Sequence, residues 1–547
     1  MRLCVLFASL LAISFSSCTS SENADMIVYN ATIYTVDDSF SMAEAMAIKD
    51  GKILETGSTT EINSRYTAKE MIDANGKFIY PGFIDAHAHF FGYAADLSQA
   101  SFTGANSWSE CLQRLKEFQT SKNIAKGEWL LGNGWDQNDW DNKEFPDRDS
   151  LDKYFPDNPV LLTRVDGHAA IANGAALQQA GITPGTTLTG GAVEVVNGRM
   201  TGILIDNAIG LVSRQIPSRT EEQITSALME AQQNCFAKGL TTIDDCGISF
   251  SDVELLDKLH KNNQLKMRIY ALLSDDAANY DYIAKKGKIK TDRLNVRGFK
   301  VYSDGALGSR GACLLHPYSD KPGHHGFLLS DASHFDSVAN ILYQQDLQMC
   351  THAIGDSGNR TVLNIYGKYL GGKNDKRWRI EHAQIVDAAD MAKFGQYSVV
   401  PSVQPTHATS DMYWAPDRLG NVRVHQAYAF KQLLDQNGWI PLGTDFPVED
   451  IDPLKTFYAA VIRKDSKGWP ENGFQMNDAL SREEALRGMT IWAARSNFEE
   501  QEKGSLEKGK LADFVLLDQD LMKADEGEIL NLRVMMTVIN GEKVYQP

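Results

Sequence analysis

The stretch Phe78-Ile79-Tyr80-Pro81-Gly82-Phe83-Ile84-Asp85-Ala86-His87-Ala88-His89 decides how this chain is read. An apolar run ends in two histidines spaced two residues apart. Side chains on a strand alternate between faces, so His87 and His89 would present two imidazoles side by side at the strand's carboxyl end. Neutral imidazole is a common nitrogen ligand for zinc and similar ions. His-x-His also occurs in surface loops, so the pair gains its meaning from what stands downstream.

Downstream, short apolar runs recur at 239–246, 267–273, 296–303, 348–354, 377–383, 397–404 and 439–445, separated by helix-length polar stretches. Ser218-Arg219-Thr220-Glu221 and Ser481-Arg482-Glu483-Glu484 read as capping-box helix starts. With the first strand the runs number eight, and strand–helix alternation repeated eight times predicts an α/β fold built on a (β/α)8 TIM barrel. The interval at about 90–217 is then a large insertion after strand 1. It carries Trp108, Trp129, Trp135 and Trp140, which would pack or form an apolar wall. Both chain ends read as β-rich, with a hairpin expected at Asp50-Gly51, a matching pattern at 512–517 and 534–544, and one small β-sheet domain built from the two. The expected divisions are 26–78 and 496–547 for that domain and 79–495 for the barrel.

Residues 1–17 resemble a signal peptide, with Arg2 followed by an apolar run too short to span a bilayer. Ser16-Ser17-Cys18 resembles a lipobox, with Phe15 where Leu is usual. Acylation of Cys18 would make the protein an exported lipoprotein, periplasmic or at the cell surface, tied to a bacterial membrane by a tether over 18–25. Of the seven cysteines, five lie beyond this segment, widely scattered and without a Cys-x-x-Cys, which argues against a disulfide framework or thiolate zinc site. The formal charge of −17 argues against a nucleic-acid surface. A small-molecule substrate is the expected partner, and a homodimer is compatible with the sequence.

Barrel active sites form at the carboxyl ends of strands. Read in order, those ends carry His87 and His89, Lys300, His352, His382 and Asp445. Four imidazoles and a carboxylate suit two divalent metal ions, with zinc the first choice. Lys300 is the odd member, since an ammonium repels metal. It fits when deprotonated or converted to a bridging carbamate; pairing with an acid such as Asp304 is the plainer alternative.

These motifs resemble the amidohydrolase superfamily, and within it amidohydrolase family 3 and its N-substituted formamide deformylase-like branch. The matching text is 81–89, Lys300 to Arg310 (KVYSDGALGSR), Thr351 to Asp356 (THAIGD), Glu381-His382-Ala383, Gly443-Thr444-Asp445 and the closing Gly509 to Phe514. The resemblance implies a binuclear centre, His87 and His89 on the more buried ion and His352 and His382 on the other. Lys300, N6-carboxylated, would bridge them, and Asp445 would act as general base and then acid. It also makes His168, in Arg164-Val165-Asp166-Gly167-His168, a substrate contact. Gln404 and His407, after the seventh strand, would face substrate too, and Ser303, Asp304 and Arg310 would shape the loop after Lys300. His316, His324 and His325 read as solvated. The expected reaction is hydrolysis of a non-peptide carbon–nitrogen bond, linear or cyclic. The alternatives are ester, lactone or phosphoester hydrolysis at the same site, or a lipid-anchored binding protein without catalysis.

Overall fold

The computed structural model describes residues 21–547, so the expected signal peptide and Cys18 lie outside the described residues. Seven parallel strands form the centre: β1 (Phe83–Ala88), β2 (Leu240–Ile248), β3 (Arg268–Ser274), β4 (Leu294–Tyr302), β5 (Gln348–Ala353), β6 (Arg379–His382) and β7 (Val400–Ser402). They are hydrogen-bonded in chain order, which makes a nearly closed barrel in a mixed α/β fold. Their side chains are almost wholly buried, as both faces of a parallel sheet covered by helices require.

The expected eighth strand at 439–445 is the correction. The segment runs extended between β7 and β1 but makes only one bridge, Val403 to Leu442. Single hydrogen bonds do the rest: Gly443 N to Val403 O at 3.1 Å, Ala86 N to Leu442 O at 3.2 Å and Asp445 N to His87 O at 2.7 Å. Pro441 has no N–H to give to a ladder. The Thr444 N–H goes to the Asp85 carboxylate at 2.9 Å, which also accepts from Thr444 Oγ1 at 2.6 Å. Gly443 passes so close that an added Cβ would stand 2.5 Å from His87 N, so only glycine fits.

Two further edges differ from the sequence expectation. β6 and β7 are shorter than expected because Arg377 (φ 53°) and Ser398 (φ 51°) leave the extended region. The helix Glu221–Phe236 starts two residues late: Thr220 is its N-cap and Gln223 closes the box, whereas Ser481 and Glu484 cap Arg482–Gly488 as read.

Strands from the two ends of the chain share a six-stranded sheet. Phe78–Pro81 pairs antiparallel with Phe514–Leu517, and the sheet continues through Val534–Ile539 and Glu542–Tyr545 on one side and Thr32–Tyr34 and Met42–Ala43 on the other. A second sheet holds Glu22–Tyr29, Ala45–Lys49, Lys52–Gly57 and Tyr66–Asp73. Its first strand starts inside the expected tether: Glu22 to Ala24 pair with Tyr66 to Ala68, and backbone pairing needs no apolar side chain. Met26 and Val28 share one core with Ile33, Ile79, Phe514 and Val538, while Ile27 points the other way. Both hairpins turn on two left-handed residues, Asp50-Gly51 and Asn540-Gly541, as a tight turn between strands demands.

Between β1 and β2 a separate six-stranded sheet spans residues 100–206. Trp135 and Trp140 are interior to its own core with Phe102, Leu130 and Phe155, so they are packing residues and no wall of the active site. Each fully buried Leu or Phe there contributes about 1.5–3 kcal/mol, enough together to make this sheet a firm support. All five described cysteines are free. No helix of the described residues is long and apolar enough to cross a membrane.

Candidate metal centre

The six ligand candidates meet at the carboxyl end of the barrel. His87 lies inside β1 and is fully buried; His89 follows as the residue before the helix Phe90–Asp96. Ring centroids are 5.6 Å apart for His87 and His89, 4.7 Å for His87 and His382, and 4.6 Å for His352 and His382. Ligand atoms of His87, His382 and Asp445 lie within 4.8 Å of one another. Asp445 Oδ1 is 3.2 Å from His89 Nε2 and 3.5 Å from His87 Nε2. His382 and Asp445 both hold left-handed backbone, φ 72° and 65°, a strained conformation for residues with a Cβ and one that concentrates at functional sites.

The donor set fits a divalent metal. His352 Nε2, both ring nitrogens of His382 and Asp445 Oδ1 are buried and have no hydrogen-bond partner. Leaving such atoms unpaired costs about 1–3 kcal/mol each, a cost that metal ligation removes. Burial pushes the His352 and His382 pKa values well below the usual range, so both rings are neutral ligands. Asp445 is buried, yet His87, His407 and His89 hold its carboxyl well below the ordinary range.

Lys300 is buried with Nζ 2.9 Å from His87 Nε2. Burial works against its charge, but the surrounding acidic groups, from Tyr302 and Cys246 to Glu381 and Asp445, keep its pKa above the ordinary value. Asp304 is not its partner. That carboxylate accepts from the N–H groups of Ile354 (3.0 Å), Gly355 (2.8 Å) and Cys313 (2.8 Å) and from Ser303 Oγ (3.0 Å), pinning the loop after β4. Burial raises the Asp304 pKa to about 7. Arg310 turns away to Asp320, at 2.9 Å.

The remaining candidates part company. His407 Nε2 is 3.2 Å from Asp445 Oδ2 and its Nδ1 is 3.0 Å from Glu449 Oε1, so both nitrogens are engaged by carboxylates and the ring holds Asp445 in place. Burial opposes its charge, and the two carboxylates outweigh burial, raising its pKa well above the ordinary value. Gln404 is buried at the start of the helix Pro405–Asp411, where its Nε2 donates to Ser402 O at 3.3 Å; no hydrogen bond ties it to the ligand set. The His168 ring stands 5.0 Å from that of His352. His324 is half-buried and bonds Arg310 O at 2.8 Å through Nε2, so it is not a solvated ring; His316 and His325 are exposed.

Three residues escaped the sequence reading. Glu381 Oε2 accepts from His87 Nδ1 at 2.6 Å, which fixes the tautomer and leaves Nε2 as the ligand atom. Burial would raise its pKa, but His87 and Arg379 hold it at about 2. Tyr302 stands two residues beyond Lys300 and so on the same side of β4; its ring is 5.4 Å from His352 and 4.8 Å from Lys300 Nζ. Period-two spacing, the same signal that singled out His87 and His89, points to it. Asp206 accepts from His168 Nδ1 at 2.6 Å, and no motif marks it.

A buried cluster of ligand residues that could hold a divalent metal stands at the mouth of a parallel barrel. The chain belongs to the amidohydrolase family, whose model matches residues 70–545. It is 32% identical over 540 residues to the protein LONG AFTER FAR-RED 3 of Arabidopsis thaliana, covering 95% of this chain and 92% of that one. It is 25% identical over 543 residues to the N-substituted formamide deformylase of Arthrobacter pascens, covering 95% and 98%. Among solved structures it resembles an uncharacterized metal-dependent hydrolase from Pyrococcus horikoshii, with a TM-score of 0.74, 28% identity and coverage of 92% and 99%. The protein is therefore an enzyme, a hydrolase acting on carbon–nitrogen bonds other than peptide bonds, and it uses a divalent metal.

Proposed function

We propose that this amidohydrolase cleaves the amide bond of a small N-acyl or N-formyl compound, linear or cyclic, releasing an amine and a carboxylate. One observation carries the reading: buried nitrogens of His352 and His382 and Asp445 Oδ1 converge without partners beside His87. Two divalent ions, zinc first among them, would be held by His87, His89, Lys300, His352, His382 and Asp445, with Lys300 as its N6-carboxylated form. Carboxylation would replace an ammonium, which repels metal, by an anionic oxygen donor. When bound, such ions bring the pKa of water toward neutrality and polarise a carbonyl.

The protein's own groups move the proton. His407 holds Asp445 Oδ2, and Oδ1 is left free toward the imidazoles. An ionised Asp445 takes a proton from the attacking water as the new C–O bond forms, then returns it to the nitrogen as the C–N bond breaks. Glu381 keeps His87 in the ligating tautomer throughout. The formamide deformylase relative makes N-substituted formamides the first substrates to try. Asp445→Asn is expected to stay folded and to lose turnover by about 10²–10⁴-fold, the usual worth of a positioned acid–base. Near-normal turnover in a metal-replete Asp445→Asn variant refutes the role. Alcohol release without amine release would move the activity to esters or lactones.

We also infer export with acylation of Cys18, which the order of charged, apolar and small residues in 1–18 supports. Cys18→Ser should shift the protein from the membrane fraction to the soluble one. The matching organisation is a barrel over 79–495 with its insertion near 90–217 and a sheet domain from 26–78 and 496–547; light scattering tests a homodimer.

A further inference from the structure

Strand β2 carries none of the six ligand candidates, yet it holds two consecutive acids, Asp244 and Asp245, both buried. Neighbours on a strand point to opposite faces, and the two carboxylates go separate ways. Asp245 stands opposite Ala88 of β1 in the ladder. Its Oδ1 accepts from the Phe90 N–H at 3.0 Å and its Oδ2 from the Phe91 N–H at 3.2 Å. These are the first two N–H groups of the helix Phe90–Asp96, whose N-cap is His89. Such groups have no partner within a helix, and the side chain of the cap residue is their ordinary acceptor. The His89 side chain makes no capping bond; its Nε2 stands 3.2 Å from Asp445 Oδ1 instead. Asp245 supplies the cap from the neighbouring strand, and that leaves the His89 ring to the site.

Asp244 is joined to His87. Its Oδ2 accepts from Arg379 Nη1 at 2.8 Å and its Oδ1 from Asn497 Nδ2 at 2.5 Å. Arg379 Nη2 donates to Asn497 Oδ1 at 2.6 Å, closing a ring of three buried side chains. Asn497 follows the helix Ile491–Ser496, so the ring ties β2 and β6 to the C-terminal part of the chain. Arg379 Nη1 also donates to Ala86 O at 3.1 Å, the carbonyl of the peptide bond that leads into His87. The same nitrogen is 3.9 Å from Glu381 Oε1, and the other Glu381 oxygen accepts from His87 Nδ1. Asp244 therefore reaches His87 through Arg379 by two routes, one along the backbone and one through a side chain. An acid and a base that only neutralised each other would need neither.

We propose that Asp244 and Asp245 are positioning residues that set His87 and His89 for metal from a strand without a ligand of its own. Asp245 frees and orients the His89 ring through the start of the helix. Asp244 holds Arg379 where Ala86 and Glu381 can fix His87. This rests on the assignment of both histidines as ligands.

The test uses the full chain, stripped of metal and titrated with zinc against a chromophoric chelator. Asp245→Asn, whose amide can accept from only one of the two helix donors, is expected to weaken zinc binding at the tighter site about 10–100-fold, and so is Asp244→Asn. Asp513→Asn is the control. Its carboxylate is also buried, but it accepts from Arg268 at 2.6 Å and from the Asn540 N–H at 2.8 Å and from no ligand residue. It should lower the melting temperature and keep wild-type zinc affinity. Asp244→Asn leaves Arg379 without a counter-charge; should it fail to fold, Asp244→Asn combined with Arg379→Gln removes both charges and carries the same expected loss. His87→Asn separates the proposal from the ligand assignment beneath it. Unchanged zinc affinity in His87→Asn refutes the assignment, and the positioning falls with it. Loss in His87→Asn beside wild-type affinity in either aspartate variant overturns the positioning alone, as does an equal loss in Asp513→Asn.

Discussion

The two halves of the metal centre are built differently. On the β1 side, His87 is oriented through Nδ1 by Glu381 at 2.6 Å, Glu381 is itself backed by the buried Arg379, and Lys300 Nζ stands 2.9 Å from the Nε2 that would ligate. On the β5–β6 side, His382 has no hydrogen bond at either nitrogen and His352 has none at Nε2. One half is oriented by polar contacts before any ligand arrives. The other is placed by packing and backbone alone, with His382 in left-handed φ. A ligand fixed in advance loses little freedom on binding, so the β1 half should hold metal more tightly.

The sharpest way to break that contrast is to remove one ligand from each half. His87→Asn is expected to abolish turnover and take bound metal below one equivalent per chain. His382→Asn should also abolish turnover yet keep close to one equivalent, as measured by elemental analysis of dialysed protein. Equal metal loss in both would end the distinction. Glu381→Gln is the next step down: loss of the carboxylate behind His87 is expected to weaken metal binding about 10–100-fold, read by competition with a chromophoric chelator. An effect no larger than that of a surface substitution would show that packing alone orients His87.

Chelation comes next. Metal bound only by the folded state stabilises by mass action, about 2.7 kcal/mol at a hundredfold excess over Kd. Stripping should lower Tm by several degrees, zinc should restore it, and Glu381→Gln should show a smaller difference at limiting zinc.

The smallest effect uses His260, a ring remote in sequence from the centre, as a control. Burial lowers its pKa to about 4, while Nε2 bonds Met267 O at 3.0 Å. The unfolded chain therefore takes up a proton below about pH 6.5 that the folded chain refuses until about pH 4. Stability from this ring is full above the unfolded value and falls as pH drops through that window. His260→Gln should lessen the acid loss of stability between pH 7 and pH 4.5 by about 1–2 kcal/mol, measured by urea unfolding. An unchanged slope would place the acid sensitivity elsewhere.

Much of the centre was legible because its residues recur at strand ends, where a histidine, lysine or aspartate interrupting an apolar run stands out. His87, Lys300, His352, His382 and Asp445 are all of that kind. The residues that escaped act through others. Glu381 sits within the apolar-to-polar edge of β6 and looks like a solvated neighbour of His382 until its oxygen is found at His87. Asp206 is paired with His168 across a ladder whose register no single sequence announces. His407 was read as facing substrate, and its bond to Asp445 was not foreseen, since helix position alone does not announce a clamp on the carboxylate. The fold failed where backbone rather than composition decides. At 439–445 the residues read as a strand, yet Pro441 and the Asp85 clasp on Thr444 leave only one bridge. At Arg377 and Ser398 a left-handed residue delays the start of a strand without a glycine to warn of it.

The contact between Gly51 and Asn540, so close that an added Cβ would lie 3.0 Å from the Asn540 carbonyl, has a consequence for synthesis. Its two hairpins lie far apart in the chain, and Phe78–Pro81 likewise waits for Phe514–Leu517. The apolar face that Met26, Val28, Ile33 and Ile79 share with Phe514 and Val538 stays uncovered until those later strands are made. A chain cut short before residue 514 would expose that face, which makes the late strands a checkpoint on the early ones.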